Sequence, residues 1–228
     1  MNLVCIGGGN GAAQVMVGMK QHASITGVIA VTDSGRSTGK IRVAANIPAP
    51  GDIRNALLAL SEAPEDLKNL FQFRFRSEKM TDLDGMAFGN LFIAALAQMH
   101  GNFEKAVAET ASFLKVNGRV LPVTLYNTHL CAELADGRVV CEELNVRAVE
   151  KPVIRRLFFK DQGVAVNPEA AAAIRAADLV TIGPGSLFTT VIACLLAEGM
   201  VEALKYCRGR IIYIANTTTQ PGQTDGFS

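Results

Sequence analysis

Apolar residues in this chain come in two rhythms. Short unbroken runs, "NLVCI" (2–6), "ITGVIAV" (25–31), "LVTIG" (179–183) and "RIIYIAN" (210–216), read as strands buried on both faces. Between them lie stretches with apolar positions three and four apart, which read as helices. "QVMVGMK" follows the first run, and "PAPGDIRNALLALS" (48–61) sets Ile53, Leu57, Leu58 and Leu60 on one broad face. "LKNLFQFRF" follows the start signal Pro64-Glu65-Asp66, and Gly101 divides "FGNLFIAALAQMHG" from "NFEKAVAETASFLKV". In the middle, after "VLPVTLY", the segments "HLCAEL" and "RVVCEEL" flank Ala135-Asp136-Gly137 as a hairpin, and "VIRRLFF" is a further strand. "PEAAAAIRAA", "PGSLFTTVIACLLAEG" and "MVEALKYC" resume the helices. Strand–helix alternation at both ends predicts an α/β, doubly wound, mostly parallel sheet with a hairpin-bearing insertion. Nothing in the composition breaks 1–228 into two domains.

Composition narrows the class. Apolar residues make up 49% and charged ones 19%, so the chain folds rather than staying disordered. A net charge of +1 leaves no broad field for nucleic acid or an anionic membrane, so anion recognition must be local. No apolar run approaches the length of a membrane span, and no basic, apolar leader precedes the first strand. Cys5, Cys131, Cys141, Cys194 and Cys207 are odd in number and widely spaced without C-x-x-C, which predicts buried thiols rather than disulfides or zinc. Together these features predict a soluble, cytoplasmic protein.

The chemistry gathers where an open parallel sheet binds ligands, outside the carboxyl ends of its strands. Glycine- and hydroxyl-rich segments fall there: "GGGNG" (7–11), "TDSGRSTG" (32–39), "PGDIRN" (50–55) and "GPGS" (183–186). The first and last follow strands and open helices, where backbone N–H groups and the helix dipole face an anion. Arg36, Lys40, Arg42 and Arg54 add local positive charge. Each element also has a plain structural role open to it. The glycines can form a tight turn, Ser186 and Asp52 can cap helices, Asp33 can be a turn acid, and Arg36 and Arg42 can be solvated. Gly7, Gly9 and Ala12 fit G-x-G-x-x-A, with Asp33 about 20 residues on, so a dinucleotide site is a rival reading. Against it stand the additional glycine loops and the lack of a hydride-transfer acid, since His22, His100 and His129 fall at surface or hairpin positions. Two acids in a phosphate site favour a cation between them, and oxygen ligands suit Mg²⁺ better than zinc.

The ordered set "GGGNG", "VTDSGRSTG", "PGDIRNALLALS", "LFQFRF", "FGNL", "VLPVT", "AELADG", "ADLVTIGPGSLFTTVI" and "TQPGQTDGFS" resembles the bacterial gluconeogenesis-factor family, in the superfamily of the 2-phospho-L-lactate transferases. The resemblance runs from Val4 to Ser228. It implies a Rossmann-like fold, a cytoplasmic location, and recognition of nucleotide sugars such as UDP-N-acetylglucosamine by factors that tie carbon metabolism to cell-wall synthesis and cell shape. It implies nucleotide contacts at Gly8, Gly9, Asn10, Gly11, Thr32, Ser34, Gly35, Arg36, Ser37, Thr38, Arg54, Asn55, Asn90, Gly183, Gly185 and Ser186, and a divalent metal, Mg²⁺, at Asp33 and Asp52. It departs in two places. Gly85-Met86-Ala87 stands where the family reads G-H before F-G-N-L, and family chains continue past the final motif. A missing C-terminal segment is therefore expected, with an uncovered apolar flank masked in a homodimer. The alternative function is an enzyme transferring a phospholactyl group from a nucleoside diphosphate to a deazaflavin. No catalytic residue is assigned.

Overall fold

The computed structural model describes residues 1–227 and, within them, every side chain but that of Arg36. Ser228 and the Arg36 side chain, both named above, lie outside the described residues. The central sheet runs β3-β2-β1-β7-β8, all neighbours parallel: β1 is Asn2–Gly7, β2 Ser24–Ile29, β3 Arg119–Pro122, β7 Leu179–Ile182 and β8 Arg210–Tyr213. β1 lies at the centre, and every residue after Asn2 is buried, as an unbroken apolar run requires when helices cover both faces. The strand order reverses between β1 and β7, and the chain leaves these two strands in opposite directions. At that switch point the loop after β1 meets the loop after β7.

The helices follow the spacing of their apolar residues. α1 (Gly9–Met19) buries Ala12, Ala13 and Met16, while α3 (Gly51–Leu60) buries Ile53, Ala56, Leu57 and Leu60. α4 (Glu65–Gln72) buries only Phe71, whose ring meets those of Phe88 and Phe92 edge-on. Phe88 and Phe92 belong to α5 (Phe88–His100), which packs beside α6 (Phe103–Phe113). The stretch at 32–39 is not all loop. α2 (Arg36–Ala45) begins inside it, with Gly35 as its cap and Asn46 ending it in the left-handed conformation. Its pattern hides it: Ile41 is the one large apolar residue buried along its described length.

The predicted hairpin is present as β4 (Leu130–Leu134) and β5 (Val139–Cys141), and β6 (Ile154–Phe159) completes a small antiparallel sheet. Its inner face, with Leu130, Ala132, Leu134 and Leu157, packs on Phe188, Ile192 and Ala193. Those residues belong to a π-helical turn (Leu187–Ile192) that runs into α9 (Ala193–Leu195). Between β5 and β6 lies a four-residue helix, α7 (Glu143–Val146). α8 (Pro168–Ala176) and α10 (Met200–Lys205) complete the cover of the parallel sheet.

Two expectations need correcting. Cys131 and Cys141 face each other across the β4–β5 pair and are joined by a disulfide, whereas Cys5, Cys194 and Cys207 are free. Hairpin register places two distant cysteines opposite one another, which counting and spacing along the chain do not reveal. Arg42 is not a solvated charge. It is 1% exposed and donates to Asn127 Oδ1 at 2.7 Å and to the Thr128 carbonyl, pinning α2 to the segment before β4. At the sheet edge, Ile211, Ile212 and Tyr213 of β8 are exposed. No helix among the described residues is long and apolar enough to cross a membrane.

Candidate functional site

At the switch point two glycine loops lie against each other. A Cβ on Gly11 would stand 2.1 Å from the Pro184 carbonyl oxygen, so only glycine lets the first turn of α1 approach "GPGS" this closely. Gly9 sits at φ +54°, where L side chains strain. Gly8 would, with a Cβ, press on the Asp52 carboxylate at 2.5 Å. Ser186 caps the π-helical turn, accepting the Thr189 N–H at 3.3 Å, and its hydroxyl also meets the Gln223 amide oxygen. Its structural role is therefore real.

In front of these loops opens a cleft of about 600 Å³. Gly9 and Asn10 of α1, Asp33, Gly35 and Thr38 around the start of α2, and Asp52, Arg54 and Asn55 of α3 all line it. Three of the four predicted loops are thus brought together on one void. Behind its wall runs a buried polar network. Arg54 donates to Asn90 Oδ1 and to Asn55 Oδ1, both at 2.9 Å, and the Asn90 amide reaches Ser37 Oγ and Thr38 Oγ1 at 3.4 Å. Asn90 of "FGNL" and Ser37 are supports for the lining rather than lining themselves. Thr32 is buried with its hydroxyl unpartnered among the described residues, and neither it nor Gly8, Gly11, Gly183, Gly185 and Ser186 line this void. Ser34 turns away: its hydroxyl accepts the Leu144 N–H at 3.1 Å, and it lines a different void on the far side of α2.

Most of the rest of the lining escaped the sequence motifs, though Gly51 lies inside "PGDIRN" and Arg74 inside "LFQFRF". Gly51, Arg74, Leu144, Arg147, Ala148 and Val149 complete the cleft. Arg74 follows α4 in "LFQFRF", and the others, Gly51 apart, belong to α7 and the chain beyond it. α7 faces the cleft because Leu144 is tied to Ser34, while Arg147 pairs with Glu143 at 3.2 Å. A four-residue helix in "EELNVRAVE" carries no glycine signature. Beyond Gly51, the one available signal was the arginine inside the quoted "LFQFRF".

Charge is unevenly balanced here. Asp33 Oδ1 accepts the Gly35 N–H at 2.8 Å, so it does close the turn, and it also lines the cleft. Burial raises the Asp52 pKa to about 7, and the negative charges of Asp33 and Glu143 add to the rise. The Gly9 N–H and Arg54 oppose it. Burial likewise raises Glu143, whose Oε2 has no partner among the described residues. Arg54 is lowered to about 10, by burial first and then by the charge of Arg74.

No group of three or more His, Cys, Asp or Glu among the described residues is placed to hold a metal ion. Mg²⁺ does not need one, because it takes one or two carboxylates and completes its shell with phosphate oxygens and water. The mutually repelling Asp33 and Asp52 fit a cation of that kind. They do not form a closed protein cage.

On the other side of α2 lies the second void, also about 600 Å³, lined by Lys40, Val43, Ala44, Met86, His129 and Glu142 among others. Met86, where the resemblance noted above places histidine, lines this pocket and does not line the cleft.

Glycine loops at the switch point of a parallel sheet, opening on a cleft lined by Arg54, Arg74 and Arg147, define a Rossmann-like protein. The model of the 2-phospho-L-lactate transferase CofD family matches residues 3–228, and the chain belongs to that family. It is similar to the putative gluconeogenesis factor of Aquifex aeolicus, 40% identical over all of this chain and 71% of that one. It is also 40% identical to the gluconeogenesis factor of Bacillus subtilis, over 97% of this chain and 69% of the relative. Against the putative gluconeogenesis factor of Clostridium acetobutylicum it spans 50% of the relative's length at 42% identity. A crystal structure from Bacillus halodurans superposes with a TM-score of 0.95 at 39% identity, over the whole of this chain and 72% of that one.

Proposed function

We propose that the chain is a nucleotide-sugar-binding regulatory factor, taking a UDP-N-acetylglucosamine-like ligand in the cleft and tying carbon metabolism to cell-wall synthesis and cell shape. The observation that supports this most is the convergence of Gly9, Asn10, Asp33, Thr38, Asp52, Arg54 and Asn55 on one void. Helix N-termini and Arg54 would hold the diphosphate, and Asn10, Thr38 and Asn55 would supply hydrogen bonds to it or to ribose. Mg²⁺ would sit between the Asp33 and Asp52 carboxylates and the diphosphate, neutralising charge that would otherwise be repelled. The relatives carry the name gluconeogenesis factor rather than that of an enzyme, although the family model is named for a transferase.

One observation keeps the transferase reading in play. The apolar pocket across α2 offers room for a second, uncharged reactant beside the cleft. Calorimetric titration with UDP-N-acetylglucosamine, NAD and lactyl diphosphoguanosine, each with and without Mg²⁺, separates the readings. The proposal expects UDP-sugar binding that Mg²⁺ strengthens. NAD binding with UDP-sugars silent would return the chain to the dinucleotide reading. Turnover of the phospholactyl donor with a deazaflavin alcohol would make it an enzyme.

A further inference from the structure

Arg74 lies in the short antiparallel hairpin between α4 and α5. That hairpin is held by the Arg74–Ala87 bridge and by the Phe75 N–H donating to the Met86 carbonyl at 2.9 Å. Its guanidinium crosses to α2, donating to Ser37 Oγ at 3.2 Å, and also to the Gly85 carbonyl at 2.9 Å. There it lines the cleft together with Arg54. Neither guanidinium has a carboxylate within ion-pairing distance among the described residues. Every acceptor they do have is neutral: two amide oxygens, a hydroxyl and a carbonyl. Arg54 is 6% exposed, and its Nε is buried with no partner among the described residues. The two cations repel each other, and Asp52 and Asp33, which offset part of the charge on Arg54, do so without contact.

A tetrahedral phosphoryl group answers that imbalance. Its oxygens accept from both planar forks at once, and its charge cancels the repulsion between them. Thr38 and Asn55 line the same void. We propose that Arg74 and Arg54 together grip one phosphoryl group of a diphosphate ligand, so that Arg74 is a ligand-binding residue contributed by the α4–α5 hairpin. The identity of the rest of that ligand rests on the nucleotide-sugar reading, whereas the grip itself does not. Anion binding would thereby join three separate elements: the hairpin, α2 through Ser37, and α3 through Arg54.

The test uses the whole chain and two probes, inorganic pyrophosphate and UDP, titrated into the parent and into Arg74→Gln, Arg74→Lys and Arg76→Gln. Arg76 lies on the same hairpin but does not line the cleft. The expected result is a loss of about tenfold or more in pyrophosphate affinity for Arg74→Gln, the range for a charge-assisted hydrogen bond. Arg74→Lys should lose less, and Arg76→Gln should stay within about twofold of the parent because it removes no contact to the anion. The dependence of log affinity on log salt should flatten in Arg74→Gln alone. Thermal unfolding checks that the variants are folded, and Arg74→Lys keeps the test open if Arg74→Gln is not. Pyrophosphate binding unchanged in Arg74→Gln, or equally weakened in Arg76→Gln, overturns the grip while leaving nucleotide-sugar binding untouched. Parent protein that binds pyrophosphate in an Arg74-dependent way but ignores UDP supports the grip and sinks the nucleotide reading.

Discussion

Helix α2 has a void of about 600 Å³ on each side, and the two differ in what their charges are doing. On the pocket side Asp82 and Glu142 line the void beside Lys40 and Arg42, and the charge of Glu142 favours that of Arg42. Arg42 is locked to Asn127 and Thr128, and Lys40 donates to the Thr81 carbonyl at 3.0 Å with Asp82 at 3.9 Å. On the cleft side Arg54 and Arg74 have neutral partners, and Asp33 and Asp52 repel each other. Equal volume therefore does not mean equal chemistry. Binding energy for a charged ligand is available only where native charge is still unneutralised, because a charge already paired must first lose its partner.

The largest expected effect tests whether the acid pair is truly unneutralised. The folded-state pKa of Asp52, about 7, lies above its ordinary value of 3.8, so between those values the native state holds a proton the unfolded chain has lost. Stability should therefore fall as pH rises from about 4 to about 7 and flatten beyond, by a few kcal/mol in metal-free buffer. Asp52→Asn should abolish most of that slope, and Mg²⁺ with UDP should reverse it. Chemical denaturation at several pH values in EDTA measures this; a curve for the parent that matches Asp52→Asn would show that Asp52 is already compensated.

A somewhat smaller effect probes the wall itself. Gly11→Ala places a methyl 2.1 Å from the Pro184 carbonyl oxygen, which is backbone and cannot swing aside. Forcing α1 off the "GPGS" loop should cost about 2–3 kcal/mol of stability and open the cleft, lowering both melting temperature and nucleotide affinity. Retained melting temperature in this variant would mean that the two loops do not brace one another.

Asp33→Asn comes next. It can keep the turn through its amide oxygen while removing the charge, so stability should change little. Nucleotide binding in Mg²⁺ should weaken by roughly 1–3 kcal/mol. If the variant binds as well as the parent, and EDTA changes nothing for either, Asp33 is only the acid that closes the Gly35 turn.

Much of the contrast between cleft and pocket could be read from residues alone, and its limits have physical causes. The apolar runs of β1, β2 and β7 are legible because a strand buried on both faces has no polar positions to confuse it. α2 is not, because a helix that lines voids on both sides has little core to contact and carries few buried apolar residues. Glycine loops announce themselves through backbone demands, which is why Gly9, Asp33 and Asp52 were found. Arg74, inside "LFQFRF", and the α7 residues do not, since they reach the cleft by tertiary packing and place no special demand on the backbone. Arg42 shows the reverse error: a charge looks solvated in sequence until the fold supplies Asn127 and Thr128 to bury it.

The smallest effect is the one that most directly holds the two voids apart. Met86 stands where the family resemblance places histidine, and loss of that histidine would matter if it touched the nucleotide. Met86 is 8% exposed and lines the apolar pocket, on the far side of α2 from Asp33 and Arg54. Met86→His would put a ring of comparable size against the pocket's open space, where its polar edge can reach water. Affinity for a UDP-sugar should then shift by less than about 0.5 kcal/mol, as for a change that touches no ligand contact. A larger shift in titration calorimetry, with the melting temperature unmoved, would mean that ligand reaches around α2 and that cleft and pocket are one site. If the affinity holds while a deazaflavin-type ring gains or loses binding, the pocket has its own occupant, and the substitution at Met86 bears on that second reactant alone.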